Sequence, residues 1–284
     1  MRAAGSAIIV SLVGLVSIST PADAAERVIF KMNDASGDDR GPGTYSYPIR
    51  NDYQRGDLDL RRFEVIDEGD HIRFEITLGR VLRPLLEPRR SRAFIVPLQN
   101  ELTVQNIDIY LQRPGTNDRI TEGLPGRQVA FDDAHGWTRA VVFTPQPGYA
   151  RHLLAPWSHS NRVIMPRNLQ SIGRKVWARI PVDALGGRPG PGWGFAVAVS
   201  GALWENRFQF YRQDENPDVV NAFTVPVHVT PDWRRFGGGD LSGAHPNVLD
   251  ILAEGADSQR AILTSYEPKT GSLARLPMLR IPRL

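Results

Sequence analysis

Three aspartates in a short glycine-rich loop near the amino end are the residues best suited to chemistry. Asp34, Asp38 and Asp39 follow a short apolar segment, and Gly41-Pro-Gly43 then extends the chain toward two tyrosines. Clustered carboxylates repel one another unless a cation lies among them, and oxygen-rich loops suit a hard ion such as calcium. One interpretation is therefore a bound metal. The other is an acidic, water-exposed turn, because the regular Asp-x-Asp-x-Asp-Gly spacing of a calcium loop is absent.

Aromatic side chains form a second candidate set, suited to binding sugars. Several of them lie beside Gly, Pro or polar residues rather than in apolar runs, and the candidates for ligand binding are Tyr45, Tyr47, Trp137, Trp157 and Trp204. An exposed ring offers a flat apolar surface on which the C–H face of a sugar can pack. The alternative is that these rings fill the ends of a folded core. Trp177 and Trp193 lie in or beside predicted strands, which is typical of core residues.

The usual catalytic motifs are missing. The sequence has no Gly-x-Ser-x-Gly elbow, no P-loop and no cysteine, and its six histidines lack the spacing of a zinc site. Paired carboxylates for glycoside hydrolysis come together only through the fold, and no pair stands out. We therefore predict a non-catalytic binding protein, with a hydrolase assembled by the fold as a lesser alternative.

The amino terminus predicts export. Met1-Arg2, an apolar stretch from about residue 7 to 18, and Ala22-Asp-Ala-Ala25 have the order of a secretory signal peptide, cleaved near Ala24 or Ala25. No later segment is apolar enough to cross a bilayer, so we expect a periplasmic or secreted protein without a membrane span. The absence of cysteine excludes disulfides and a lipoprotein anchor.

The formal net charge of +3 is small, and no basic block is interleaved with aromatics. Nucleic acid is therefore not an expected partner.

Hydrophobic alternation predicts an all-β protein. Ile72, Phe74, Ile76 and Leu78 alternate with polar residues, which is the period-two pattern of a strand with one buried face. The same reasoning predicts strands at 28–32, 62–66, 72–78, 107–111, 140–144, 176–181 and 195–200. Residues 67–70 supply a hairpin turn. With no internal repeat or linker, residues 26–284 are expected to form one antiparallel β-sandwich.

One short helix is predicted near the carboxyl end. Residues 247–254 have apolar side chains at helical spacing, follow a proline and end at Gly255. The segment between residues 200 and 245 is polar and aromatic, and we expect it to be mostly loop.

Ordered motifs across nearly the whole mature chain resemble those of the C-terminal module of glucodextranase and of related amylopullulanase modules. In chain order they are Asp34 with Gly37-Asp-Asp-Arg-Gly-Pro-Gly-Thr-Tyr-Ser-Tyr-Pro48, Gly56-Asp-Leu-Asp-Leu60 with Phe63-Glu-Val65, Val104-Gln-Asn-Ile-Asp-Ile-Tyr110, Leu124-Pro-Gly126, Trp193-Gly-Phe-Ala-Val197, and Arg235-Phe-Gly-Gly-Gly239 with His245-Pro-Asn-Val-Leu-Asp250. The resemblance implies a two-sheet, immunoglobulin-like sandwich of the DOMON-like superfamily, whose members bind sugars or haem without hydrolysing them.

The resemblance also implies a structural calcium at Asp34, Asp38 and Asp39, with Asp59 as a further ligand. Because no hydrolase segment accompanies the module here, it indicates a free-standing binder of carbohydrate or another envelope glycan, serving a separately encoded enzyme if it serves one.

The alternative function is a b-type haem protein for electron transfer. Its axial ligands would come from the mature methionines, Met32, Met165 and Met278, with a histidine or lysine. Lys31 and Met32 are adjacent on a predicted strand and point to opposite faces, so these two cannot bind one haem together.

Overall fold

The computed structural model describes residues 26–50, 53–82, 102, 104–145, 147–202 and 224–282. The strands of this part of the chain are β1 (Arg27–Asn33), β2 (Leu60–Asp67), β3 (His71–Leu78), β4 (Gln105–Gln112), β5 (Val129–Ala130), β6 (Arg139–Phe143), β7 (Val163–Ile164), β8 (Gln170–Ile172), β9 (Lys175–Pro181), β10 (Gly194–Gly201), β11 (Asp250–Ile251), β12 (Ala274–Arg275) and β13 (Leu279–Arg280). The helices are α1 (Pro147–Leu154), α2 (Val182–Leu185) and α3 (Ala256–Leu263), with 3-10 turns at Asp133–His135 and Ser160–Arg162.

The strands form two main sheets that make an all-β sandwich. The first sheet has the order β1-β2-β3-β9-β8 and is antiparallel throughout. The second has the order β11-β10-β4-β6-β7, with β13 also paired to β10, and only β6 and β7 run parallel. A small parallel pair, β5 with β12, lies outside both sheets. The predicted fold class and the seven predicted strands are confirmed.

The main core lies between the two sheets. The alternating residues of β3 predicted to face inward, from Ile72 to Leu78, are fully buried. The ring of Phe195 on β10 packs against Phe63 on β2 at 5.7 Å and against Phe30 on β1 at 5.1 Å, so one side chain joins both sheets. Period-two alternation therefore becomes a single apolar layer between the sheets.

A second apolar cluster covers the outer face of the second sheet. It contains Tyr110 and Ala198 from the sheet together with Trp137, Leu154 of α1 and Leu263 of α3. Strands β4 and β10 are consequently buried on both faces.

In β4, Asp108 alternates with Ile107 and Ile109, a pattern that by itself predicts a polar face turned toward water. Asp108 on that face is instead completely buried, and it forms an ion pair with the equally buried Arg127 at 2.6 Å.

The predicted helix at 247–254 is wrong in position. Strand β11 lies within that segment, with Asp250 opposite Val199 of β10, and the helix α3 begins after Gly255. The apolar residues divide between the two cores: Leu249 and Leu252 face the inner one, while Val248 and Ile251 face the outer one. Burial on both sides of an extended segment gives the same apolar spacing as a helix, which explains the error.

Helix α1 was not predicted, because Pro147 and Gly148 favoured a turn in the sequence. Proline is well tolerated at the first position of a helix, where its missing N–H has no intrahelical partner to lose.

The Gly237-Gly-Gly239 motif packs against the loop that contains Ser46. Ser46 and Gly237 exchange backbone hydrogen bonds of 3.0 and 2.9 Å. Gly238 has φ +90°, and a Cβ there would lie 2.2 Å from the carbonyl oxygen of Thr44. The motif therefore allows a close backbone approach that holds the loop following the aspartate cluster.

Gly238→Ala should lower the free energy of unfolding by about 3 kcal/mol, because it adds a backbone clash to the strain of a positive φ. Gly243→Ala is the matched control, since Gly243 also has a positive φ of +70° but open space at its Cβ position. That control should cost about 1 kcal/mol. Urea unfolding of both variants tests the difference, and equal losses would contradict the close-approach explanation.

Candidate metal centre

Three carboxylates from both ends of the chain converge at one end of the sandwich. One carboxylate oxygen from each of Asp34, Asp38 and Asp250 lies within 4.8 Å of the other two. Asp34 directly follows β1, Asp38 lies in the loop after it, and Asp250 begins β11. The two loop residues were predicted to act together, and the structure adds Asp250 to them.

Several oxygens of this cluster are buried and accept no hydrogen bond from the described residues. They are Oδ2 of Asp34, both carboxylate oxygens of Asp38 and Oδ1 of Asp250. The side chain of Asp250 is completely buried. A buried acceptor without a partner is costly, so the fully buried carboxylate of Asp250 beside two others makes this cluster a candidate site for a cation.

Backbone N–H groups fix the opposite edge of two of these carboxylates. The N–H of Ala253 donates to Oδ1 of Asp34 at 3.0 Å. The N–H of Leu60 donates to Oδ2 of Asp250 at 2.7 Å. Asp34 and Asp250 therefore each have one oxygen held by the backbone and one directed toward the cluster.

The side chain of Gln259 on α3 adds a further link. It donates to the carbonyl oxygen of Asp38 at 2.6 Å, and its own amide oxygen accepts from the N–H of Ile251 at 2.9 Å. The acidic loop, β11 and α3 are thus joined around the cluster.

Asp39 and Asp59, the other two predicted ligands, are buried beside this cluster and have different partners. Asp39 Oδ2 accepts from the Tyr47 hydroxyl and, at 2.8 Å, from the N–H of Gly56. Both oxygens of Asp59 lie 3.2 Å from the N–H of Gly37, and Asp59 also pairs with Arg61 at 3.2 Å. These contacts shape the loop around the three converging acids.

Burial and mutual repulsion raise the pKa values of the three clustered acids and of Asp59 beside them. Burial raises the pKa of Asp34 to about 7, with a further rise from the charge of Asp38. Burial raises the pKa of Asp59 to about 6 and also raises the pKa of Asp38. For Asp250 the pKa lies well above its ordinary value, through burial and then the charges of Asp34 and Asp38. A cation among Asp34, Asp38 and Asp250 would oppose these rises, because an opposite charge nearby favours the ionised carboxylate.

The donor set fits calcium. The oxygens are hard, anionic and gathered from loop and strand ends, and calcium accepts six to eight such ligands in irregular geometries. Asp34, Asp38 and Asp250 would hold the ion, with backbone carbonyls or water completing its shell. No nitrogen or sulfur side chain of the described residues belongs to the cluster, which disfavours zinc or copper.

Comparison with known protein families shows what kind of module carries this site. Residues 29–278 match the family of the SLH-like C-terminal binding module of glucodextranase. The chain belongs to this family. A search of curated proteins found no match.

Asp250 lies within the residues that match the glucodextranase binding-module family. The segment His245-Pro-Asn-Val-Leu-Asp250 carried part of the sequence resemblance, but its apolar spacing was interpreted as a helix. The motif was therefore the signal that could have identified this acid. Its proximity to Asp34 is visible only in the folded chain.

The predicted sugar-binding rings have different environments in this family member. Tyr45 and Trp137 are 1 % and 0 % exposed. The Tyr45 hydroxyl donates to the carbonyl of Pro246, and the Trp137 indole donates to that of Glu122, both at 2.7 Å. These two predictions of ligand contact are therefore corrected, because a ring packed in the interior offers no face to a ligand.

Tyr47 and Trp157 are half-buried, and Trp204 lies outside the described residues. Tyr47 packs edge-on against Phe236 at 5.5 Å, and its hydroxyl is bound by Asp39. Trp157 lies beside Trp137 and meets the ring of His159 edge-on at 5.3 Å. Trp157 is consequently the better candidate of the two for contact with a ligand.

The methionines considered for haem occupy packing positions. Met165 and Met278 are buried in the outer apolar cluster, and Met32 packs against the main core. The family match to a glucodextranase binding module gives the haem alternative no support. Among the described residues, no helix is both long and apolar enough to cross a membrane.

Proposed function

We propose that this chain is an exported, non-catalytic protein that binds carbohydrate or another glycan of the cell envelope, with calcium ordering its acidic loop. The observation that carries the proposal is the match of residues 29–278 to a binding module of a glycosidase. The apolar stretch at residues 7–18 and the small residues before Glu26 support export.

The calcium part of the proposal is supported by the buried, unpartnered oxygens of Asp34, Asp38 and Asp250. An ion among them would link the loop after β1 to β11 and α3. Its role would be structural, because the three carboxylates are largely enclosed by protein. Calcium would thereby fix the sandwich end that carries the Ser46 loop and the glycine motif.

The burial and hydrogen bonding of the clustered acids support a function in binding and not in catalysis. Asp34 and Asp250 each have one oxygen bound by a backbone N–H, and Asp250 is inaccessible to solvent. A glycosidase needs two carboxylates on either side of an open cleft. Any enzyme acting on the bound glycan would then be encoded separately.

Isothermal titration against maltodextrins, dextrans and purified envelope glycans tests the proposed function. We expect binding heat from at least one of these polymers and no release of reducing sugar from any α-glucan. Trp157→Ala should weaken that binding about tenfold, because a ring stacked on a ligand is worth roughly 1–1.5 kcal/mol. No heat from any glycan would contradict the proposal, and turnover would restore the hydrolase alternative.

A further inference from the structure

Arginine side chains gather at one end of the second sheet. Arg280 on β13 is opposite Gly194, the first residue of β10. Gly194 is in turn opposite Gln112, the last residue of β4, and Arg113 follows directly. The strands β13 and β4, on either side of β10, therefore each place an arginine at the same end of the sheet.

The same end continues through the next two strands. Arg139 begins β6 and pairs with Leu111 of β4. Arg162 directly precedes β7, whose Val163 pairs with Ala140. Adjacent strands lie about 4.8 Å apart, so these residues extend over roughly 20 Å along the end of the sheet. Arg280 shares the face of Gln112 and Arg139 that of Leu111, so the row borders both faces of the sheet at this end.

Most of these arginines hold their positions without losing their charge to a carboxylate. In the described part of the chain, Arg113, Arg139 and Arg280 form no ion pair and instead donate to the carbonyls of Gly186, Thr138 and Gly192. Arg162 alone in the row is paired, with the exposed Asp118. A carbonyl fixes a guanidinium but does not neutralise it, so the row keeps an excess of positive charge.

A fifth arginine joins the row at its β13 end. Arg119 and Arg280 both donate to the carbonyl oxygen of Ala134, at 3.5 and 3.2 Å. Arg119 also donates to the carbonyls of Thr116 and Asp133, at 3.0 and 3.2 Å. Two like charges are therefore held next to each other by the backbone, an arrangement that an anion would relieve.

A cleft of about 340 Å³ lies between Arg119 and Arg280, and we call it the arginine cleft. Its remaining lining is small or apolar: Pro114, Gly115, Gly192, Ile281 and Pro282. A largely apolar cleft with two arginines in its lining suits a ligand that has both an acidic group and an apolar face. A uronic acid or a phosphate-substituted sugar has both.

Farther along the row, burial and then the charge of Arg162 lower the pKa of Arg139, Asp118 opposes the shift, and Arg113 adds to it. The direction of this shift agrees with a surface on which positive charges repel one another.

We propose that the arginine cleft and the row beside it bind the carboxylate or phosphate groups of an acidic polysaccharide. This inference rests on the proposed glycan-binding function and specifies its ligand class. The planar guanidinium matches a carboxylate or phosphate with two parallel hydrogen bonds. The length of the row favours a repeating polyanion over a single small anion.

Affinity electrophoresis and titration of the full mature chain test this, using polygalacturonate for carboxylate, phosphate-substituted mannan for phosphate, and dextran as the neutral polymer. We expect at least one acidic polymer to bind ten times more tightly than dextran. Raising the salt from 50 to 300 mM should weaken that binding, because exposed charges are screened. The tighter of the two acidic polymers identifies the anionic group.

The double variant Arg119→Gln/Arg280→Gln should weaken binding of the acidic polymer at least tenfold. The control Arg62→Gln/Arg179→Gln removes the same amount of charge from the first sheet. It should change the affinity for the acidic polymer less than twofold. Thermal melts of both variants verify that they are folded, and the comparison of polymers on the wild-type chain needs no variant.

Equal binding of dextran and the acidic polymers would overturn this inference while leaving the glycan-binding function intact. Absence of binding to any glycan would overturn both. Duplex DNA bound as tightly as the acidic polymers would indicate attraction to any polyanion and would also overturn it.

Discussion

Calcium should raise the melting temperature of this protein by about 5–10 °C over the same protein in EGTA. An ion present at a hundred times its dissociation constant stabilises the native state by about 2.7 kcal/mol, and 1 kcal/mol corresponds to about 2–4 °C in a chain of this size. The stabilisation arises because the ion binds buried oxygens of Asp34, Asp38 and Asp250 that are gathered only in the folded chain. Differential scanning calorimetry with and without calcium measures it.

Asp250→Asn should abolish this calcium-dependent shift, since it removes the buried charge that faces the loop. Asp257→Asn, at an exposed position on α3, is the matched control and should leave the shift unchanged. Comparing the shift rather than the absolute melting temperature matters, because removing a buried charge can itself stabilise the metal-free protein. A full shift in Asp250→Asn, or none in the wild type, would support the solvated-turn interpretation.

The calcium effect should be larger at pH 8 than at pH 5.5. In the metal-free protein the pKa of Asp34 is about 7, above its ordinary value of 3.8, so the folded chain retains a proton that the unfolded chain has lost. Its contribution to stability therefore falls as the pH rises from about 4 to about 7. Calcium replaces that proton at high pH and competes with it at low pH.

Arg127→Met should lower the free energy of unfolding by about 3–5 kcal/mol. Arg127 and Asp108 are both fully buried and paired at 2.6 and 3.0 Å, so the variant leaves a carboxylate uncompensated beneath the outer apolar cluster. Breaking one partner of a buried pair is strongly destabilising, because the remaining charge has lost both water and its counter-ion. Urea unfolding monitored by tryptophan fluorescence measures the loss.

Two further variants separate the buried charge from general damage. Arg127→Met/Asp108→Leu should recover much of the lost stability, since no charge then remains unpaired. Arg275→Gln, which breaks the exposed pair with Asp132, should cost under about 1 kcal/mol. If the double variant were less stable than Arg127→Met alone, the unpaired carboxylate would not be the cause.

Both predictions concern contacts between distant parts of the chain. The acidic loop near residue 38 is tied to β11 and α3, more than 200 positions later, and Arg127 secures the loop over β4. The segment Gly126-Arg127 also meets Asn247, whose amide donates to the carbonyl of Gly126 at 2.9 Å. The contact between Asn247 and Gly126, together with the ion pair of Arg127 with β4, therefore holds the residues just before Asp250 in place. This positions the Asp250 carboxylate at the cluster.

The sandwich itself could be predicted from the sequence, because the alternation of apolar and polar residues along a strand shows which of its faces is buried. Ile72, Phe74, Ile76 and Leu78 alternate with polar residues, and that period places one face of β3 in the core wherever its partner strands lie. The acidic loop was equally visible, since Asp34, Asp38 and Asp39 are close in the chain.

The outer layer over the second sheet could not be predicted in this way. Asp108 and Tyr110 occupy the polar or mixed side of β4, and nothing in the strand pattern indicates that loops and helices cover them. The same two-sided burial gave β11 the apolar spacing of a helix. Burial of Trp137 in the outer apolar cluster was likewise not visible in the sequence, where its neighbours are typical of a loop. Alternation reports burial correctly only where one face of a strand meets water.

The sequence alone thus determined an all-β chain, an acidic loop and membership of a family of binding modules. Tertiary structure alone decided that Asp250 completes the acidic cluster and that arginines from β13, β6 and the ends of β4 and β7 form one row. The reason is that local periodicity depends on neighbours a few residues apart. Convergence of like charges depends on strand pairing and register, which bring together residues that the sequence separates by up to about two hundred positions.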